Sequence, residues 1–144
     1  MGNRRHMSEH DVMTQRRRTA SRAAAAGRRD THGPHALYQR WINELWAGEP
    51  IAREIVSGDF VGHWPTRDIR GPDDLQAIVD QTRRELRELM FVVDVGPFVD
   101  GDLVAAHWIS TGCTKRGPAR FTGNDILRMV DGRIVEYWTG ASPG

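Results

Sequence analysis

The feature that most constrains this chain is a change of hydrophobic period near Phe91. Before it, apolar residues recur every three or four positions: Leu37, Trp41 and Leu45 with Tyr38, Ile42 and Trp46 beside them, then Leu75, Ile78, Val79, Leu86, Leu89 and Met90. That spacing gathers them on one face of a helix. After it come short apolar runs at 91–95, 98–99, 103–111, 119–130 and 133–139, with Asp100-Gly101 and Asp131-Gly132 between some of them. Asp-Gly between two such runs is a strong hairpin signal. Helices first and an antiparallel meander second is an α+β order, in which helices stack on one side of a sheet to bury their apolar faces.

Pro34 suits the first turn of a helix and marks where order begins. Gly48 and Pro50 stop that helix, 51–57 form a short second helical piece, and 60–63 read as a strand running into Trp64-Pro65. The stretch Arg70-Gly71-Pro72-Asp73-Asp74 turns the chain and opens the longest helix, whose dipole is complemented by acids at its start. Arg84 and Glu88 fall on its wet face. A single domain over 34–141 is expected, since 144 residues fit one core. Residues 1–33 hold eight arginines against Glu9, Asp11 and Asp30, with almost no large apolar residues. They read as a disordered Arg/Ala-rich tail.

Several function classes are set aside by composition. The longest apolar runs are a few residues, whereas a spanning helix needs roughly 20, so no membrane segment is expected. Cys113 is the only cysteine, which leaves no disulfide or zinc set of CxxC type to draw and fits a reducing cytoplasm. The alanines at 23–26 are too short a run for the apolar region of a signal peptide. Arg16-Arg17-Arg18 could touch nucleic acid, but past the tail twelve basic residues face sixteen acidic ones. Nucleic acid is therefore not an expected partner of the folded part.

Polar residues inside apolar strands are the candidates for chemistry. If Asp131-Gly132 ends a three-residue turn with a glycine bulge, Asp125 pairs with Tyr137 on one face, and Arg128, Glu136, Ile134 and Trp138 take the other. A two-residue turn swaps these partners. The bulged register is preferred because it brings the opposite charges of Arg128 and Glu136 to one face, and it leaves Asp125 with Tyr137 facing inward as an acid/base pair. His107, in the middle of an otherwise apolar strand, can poise a proton near neutral pH. His63 and Asp94 are further polar positions in apolar stretches. Each has a plainer alternative, a surface or turn aspartate or a histidine satisfied within the fold. Of the five tryptophans, two are expected to reach a cavity, where aromatic walls suit flat apolar ligands.

The closing run from Asp125 to Trp138, with Arg128, the Asp131-Gly132 turn and Glu136-Tyr137-Trp138, resembles the last hairpin of the SnoaL-like polyketide cyclases of the nuclear-transport-factor-two superfamily. His63-Trp64-Pro65 with Ile69-Arg70-Gly71-Pro72 is similar to that family's first strand and its lead into the long helix. Gly101-Asp102-Leu103-Val104 through His107-Trp108 to Thr111-Gly112 also fits. The resemblance implies a cone: a strongly curved, mostly antiparallel sheet wrapped around N-terminal helices, with an internal apolar pocket and a homodimer joined through the outer sheet face.

It also implies a cofactor-independent cyclase or isomerase, without metal, acting on a small apolar molecule such as a polyketide-like or terpenoid-like carbonyl compound. The chemistry is an intramolecular aldol closure, for which a carboxylate desolvated in an apolar pocket can serve as base. In that family the acid/base aspartate follows the hairpin tryptophan; here that position is Thr139, followed by Gly140, Ala141 and Ser142. The expected site is therefore Asp125, His107 and Tyr137 as catalytic groups, with His63, Trp64, Asp94, Trp108 and Thr139 lining the pocket. The limonene-epoxide hydrolase pattern, Arg-x-Asp with an aspartate two positions after the tryptophan, is met only by Asp94. The alternative function is a non-catalytic ligand-binding or accessory dimer that keeps the cavity and lacks the family's aspartate. A third reading makes the tail the functional part and the cone a dimerisation scaffold.

Removing residues 1–33 is expected to leave the melting temperature within about 5 °C of the full chain, since the segment has little apolar surface to bury. A larger drop would show that the tail is docked on the domain.

Overall fold

The computed structural model describes residues 33–144; the tail expected over 1–33 lies, but for Gly33, outside the described residues. Helix α1 (Pro34–Arg40) opens on Pro34 and runs directly into a π-helical turn (Trp41–Leu45), in which the Trp46 amide donates to the Trp41 carbonyl at 3.1 Å. After it come α2 (Ala52–Ile55), β1 (Val56–Trp64), β2 (Arg67–Arg70) and α3 (Gly71–Glu85). Four long strands follow: β3 (Arg87–Asp100), β4 (Leu103–Thr114), β5 (Gly117–Val130) and β6 (Arg133–Pro143). They form one sheet in the order β2-β1-β6-β5-β4-β3, antiparallel throughout except for the β1–β6 pair. This is the expected α+β arrangement of helices against a curved, open sheet. No helix of the described residues is long and apolar enough to cross a membrane.

The core lies between the helices and the inner sheet face. Leu37, Tyr38, Trp41 and Leu45 from the first helical segment, Ile55 from α2 and Leu75 and Val79 from α3 are buried against Val104, Leu127, Ile134 and Tyr137. Trp41 is the centrepiece, with its ring 4.6 Å from Tyr137 and 6.3 Å from Phe60. Burying one large apolar side chain of this kind contributes about 1.5–3 kcal/mol.

Four expectations need correction. The long helix ends at Glu85, with Leu86 extended and Glu88 at φ 55°, so Leu89 and Met90 belong to β3. Their spacing fits a helical period, but Leu89, Phe91 and Val93 also alternate with Met90 and Val92, and pairing of Met90 with Thr111 and Val92 with Ile109 decides for the strand. Strand β2 is an addition to the expected elements; it carries no periodic signal, because only Ile69 of its four residues is buried. The second helical piece is shorter than 51–57, since Val56 and Ser57 already lie in β1.

The closing hairpin holds the fourth. Val130 pairs with Arg133, so Asp131 and Gly132 form a two-residue turn, both with positive φ as that turn demands. The bulge lies one step further in: Arg128 pairs with Glu136 and Met129 with Ile134, leaving Val135 as the extra residue. The bulge restores parity, so Asp125 and Tyr137 still face inward. Asp125, however, directly opposes Thr139 while Tyr137 opposes Leu127, and Ile134 is buried inside instead of sharing the outer face with Arg128.

Gly123 stands directly opposite Trp108 in the β4–β5 ladder, and a Cβ there would overlap the indole ring. Glycine is needed for the space it leaves. Gly123→Ala is expected to cost about 1–3 kcal/mol by overpacking and to alter the near-ultraviolet circular dichroism as Trp108 is displaced. An alanine variant with unchanged melting temperature and spectrum would show that the ring moves aside freely.

Candidate functional site

One end of the space between helices and sheet is not filled. It is a cavity of about 340 Å³, within the range of small-molecule sites. Ile42 and Trp46 reach it from the first helical segment, Thr82 and Leu86 from the end of α3, and Trp64, Pro65 and Thr66 from the β1–β2 turn. The sheet contributes Leu89, Phe91, Trp108, Ser110, Phe121, Asp125, Tyr137, Thr139 and Ala141. Aromatic rings meet edge to face along the wall, with Trp46 5.5 Å from Phe91 and Phe91 5.1 Å from Trp108. Three of the five tryptophans, Trp46, Trp64 and Trp108, line the cavity, one more than expected; Trp41 is in the core and Trp138 on the outer face.

Among the described residues, Asp125 is the only carboxylate in this lining, and none of the lining residues is lysine, arginine or histidine. It is 2% exposed. Its Oδ1 accepts hydrogen bonds from the Tyr137 hydroxyl at 2.6 Å and Trp108 Nε1 at 2.9 Å, and its Oδ2 accepts one from the Tyr38 hydroxyl at 3.0 Å. Both tyrosines of the chain thus end on one carboxylate. Burial pushes the proton affinity of Asp125 above the ordinary carboxylate value, and the three donors oppose that shift without cancelling it. The same burial, together with the neighbouring carboxylate, holds Tyr137 and Tyr38 well above the usual phenol range, so both remain donors.

The fold brings Asp125, Tyr137, Trp64, Trp108 and Thr139 together at the cavity. It does not bring His107, His63 or Asp94 there. Strand β4 turns Val104, Ala106, Trp108 and Ser110 inward, so His107 points out, where its Nδ1 lies 2.6 Å from Asp94 Oδ1. Asp94 is the extra residue of a bulge between Val93 and Val95. The bond with His107 holds its carboxyl below the usual value. His63 Nε2 lies 2.7 Å from Glu136 and Nδ1 2.9 Å from Asp68, while its ring stacks on Trp138 at 5.5 Å. Those two carboxylates, Glu136 first, raise its proton affinity. Arg128 also stays outside, with Nε 3.8 Å from Glu136 and its guanidinium over Trp138. Among the described residues no three His, Cys, Asp or Glu side chains gather as a metal would require.

Tyr38 is the site residue that sequence reasoning misses. Its spacing puts it on an apolar helix face, and it is fully buried there. The available signal is chemical: a buried tyrosine hydroxyl needs a hydrogen-bond partner, and strand parity already puts Asp125 inside.

The chain matches the model of the SnoaL-like domain over residues 38–137. A candidate SnoaL-like polyketide cyclase from Jannaschia sp. CCS1 superposes with a TM-score of 0.69 at 16% identity, covering 76% of this chain and 85% of that one. The candidate polyketide cyclase IdmH from Streptomyces antibioticus gives 0.67 at 22% identity, covering 76% and 92%. A Catenulispora acidiphila protein with a ketosteroid isomerase-like fold, in complex with trimethylamine, gives 0.63 at 14%, covering 72% and 83%. No curated protein matches the chain. At these identities the structures speak to fold alone; the family model, which spans more than half of the sequence, shows that the chain belongs to the SnoaL-like domain family.

Proposed function

We propose that the protein is a cofactor-independent cyclase or isomerase acting on a neutral, apolar carbonyl compound, polyketide-like or terpenoid-like, with Asp125 as base and Tyr137 as hydrogen-bond donor. The observation that carries this reading is a carboxylate buried at an apolar cavity wall with no cation of the described residues beside it. Such a group is costly to the fold, and a proton affinity raised in this way suits a base working near neutral pH. Ketosteroid isomerase works on the same physical basis, with apolar surroundings tuning a carboxyl group. The absence of lysine and arginine from the lining disfavours carboxylated or phosphorylated substrates.

The resemblance would put the acid/base aspartate at Thr139. Asp125 is the direct cross-strand partner of Thr139, and side chains so paired stand about 4.5–5.5 Å apart at Cβ. A carboxylate on β5 therefore reaches the same stretch of wall from the neighbouring strand. In the proposed reaction the C–H bond α to a carbonyl breaks, its proton passes to Asp125 and its electron pair enters the carbonyl as an enolate. The protonated Asp125 can then donate to the Tyr137 oxygen, which turns the Tyr137 proton toward the substrate oxygen that gains charge. In a cyclase the enolate carbon closes onto a second carbonyl, and the resulting alkoxide takes the Tyr137 proton, which the proton held by Asp125 replaces, so the carboxylate is restored.

The reading also carries an assembly and a setting. Met90, Val92 and Phe98 on β3 and Ile126 on β5 are exposed apolar residues of the outer sheet face, and a homodimer through that face covers them. One free cysteine fits a reducing cytoplasm. Light scattering is expected to give twice the 16.3 kDa of one chain; a monomer at high concentration would remove the dimer.

With a substrate found by screening neutral carbonyl compounds, Asp125→Asn should lose at least about a hundredfold in turnover while ligand affinity stays within a few-fold. Unaltered turnover would leave the non-catalytic binding reading ahead. The same variant has a stability signature. Because the folded proton affinity of Asp125 is raised, its contribution to stability is fully present below the ordinary value of 3.8 and is lost as pH rises through the folded value. Chemical denaturation across that range should show Asp125→Asn gaining on the parent protein as pH rises.

A further inference from the structure

The cavity-side hydrogen bonds of Asp125 leave one group unexplained: Tyr38, which is fully buried on α1 and is not part of the cavity lining. Its hydroxyl reaches Asp125 Oδ2 at 3.0 Å, whereas Trp108 and Tyr137 both donate to Oδ1, at 2.9 and 2.6 Å. A carboxylate offers about four acceptor positions, two on each oxygen. Oδ1 has two donors and Oδ2 has one, so the position left open lies on the oxygen that Tyr38 holds. We propose that Tyr38 is a positioning residue, which pins the carboxylate by its second oxygen from outside the cavity and so fixes the plane in which Asp125 meets the substrate. This rests on the reading of Asp125 as the base.

Two effects give Tyr38 this role. The terminal torsion of an aspartate is broad, and with donors on Oδ1 alone the carboxylate plane could swing about that oxygen; a donor on Oδ2 from a different element stops it. A donor to the charged form also holds that form against the cost of burial. Tyr38 can do this at any working pH because its own proton is held far above the usual phenol range by burial and by Asp125. Among the described residues, the titratable groups facing Asp125 are Tyr38 from α1 and Tyr137 from β6; Trp108 from β4 donates without titrating.

Tyr38→Phe removes one oxygen and keeps the ring. In ligand-free protein, the Asp125 titration followed by carboxyl-carbon NMR should move upward by about one pH unit. Affinity for a naphthol probe, read from tryptophan fluorescence, should stay within about twofold, since Tyr38 does not line the cavity. On a screened substrate, the acid limb of the kcat/KM profile should move with the same midpoint. An unmoved midpoint in folded Tyr38→Phe overturns the proposal. If that variant does not fold, fluorotyrosine in a Tyr137→Phe background leaves Tyr38 as the one labelled residue. The more acidic phenol donates more strongly, so the Asp125 midpoint must fall relative to the unlabelled background, and an unmoved value again overturns the role. Full turnover in Asp125→Asn removes the underlying reading; its loss together with an unmoved midpoint in Tyr38→Phe removes Tyr38's part alone.

Discussion

The structure turns on one buried carboxylate. Taking a carboxylate out of water costs several kcal/mol even after relaxation, and among the described residues no cation near Asp125 offsets it. Three donors do so instead, from Tyr38 on α1, Trp108 on β4 and Tyr137 on β6, and hydrogen bonds to a charged group contribute about 1.5–3 kcal/mol each. Because the donors come from a helix and from the strands on either side of β5, the carboxylate is also a register mark. A one-residue slip of β5 would turn Asp125 to the outer face and leave three buried donors with nothing to meet. The bulge at Val135 has the same significance, since without it Tyr137 and Asp125 would lie on opposite faces.

The two faces of the sheet use polar groups differently. Inside, one carboxylate is held by neutral donors and its proton affinity goes up. Outside, imidazoles and carboxylates pair, and the shifts come from opposite charges instead of burial: His63 gains proton affinity from Glu136 and Asp68, and Asp94 loses it to His107. The His63 contribution to stability is fully present below its ordinary value of 6.5 and is lost as pH rises through the raised one. These pairs are half-exposed, so water and salt screen them and their contribution is small. The Asp125 contribution is unscreened by comparison, and it falls away in the same direction from a lower starting pH.

Element type and order are readable from periodicity, because the change from a helical period to alternation at Phe91 reflects which faces must be buried. Boundaries are less so. Leu89 and Met90 satisfy both periods, and the ladder with β4 decides between them. The inward placement of Asp125 and Tyr137 follows from parity, but by a different turn and bulge from those expected, and the direct pairing differs. His107 resists placement, since 103–106 and 108–109 are apolar on both faces of β4 and nothing local tells inside from outside. Asp94 is displaced by a bulge, which depends on the partner strand. Tyr38 is hidden because a helix and β5 meet across 87 residues of sequence, a separation no local pattern spans.

That separation also bears on how a site of this kind is recognised. Cavity walls in a curved sheet are built by neighbouring strands whose paired residues share a face, so a given point on the wall can be served from either strand. Thr139 and Asp125 are such a pair. Judged by the position after Trp138, the chain lacks a carboxylate; judged by the cavity, it has one, across the ladder, with a phenol and an indole already aimed at it. The constraint that matters to a proton in the cavity is the distance to a basic oxygen and the environment that sets its affinity, and neither depends on which strand supplies the side chain. What does depend on it is the set of groups that support the carboxylate. A carboxylate on β5 can be reached from α1 by Tyr38, and this contact couples the packing of α1 to the proton affinity of Asp125.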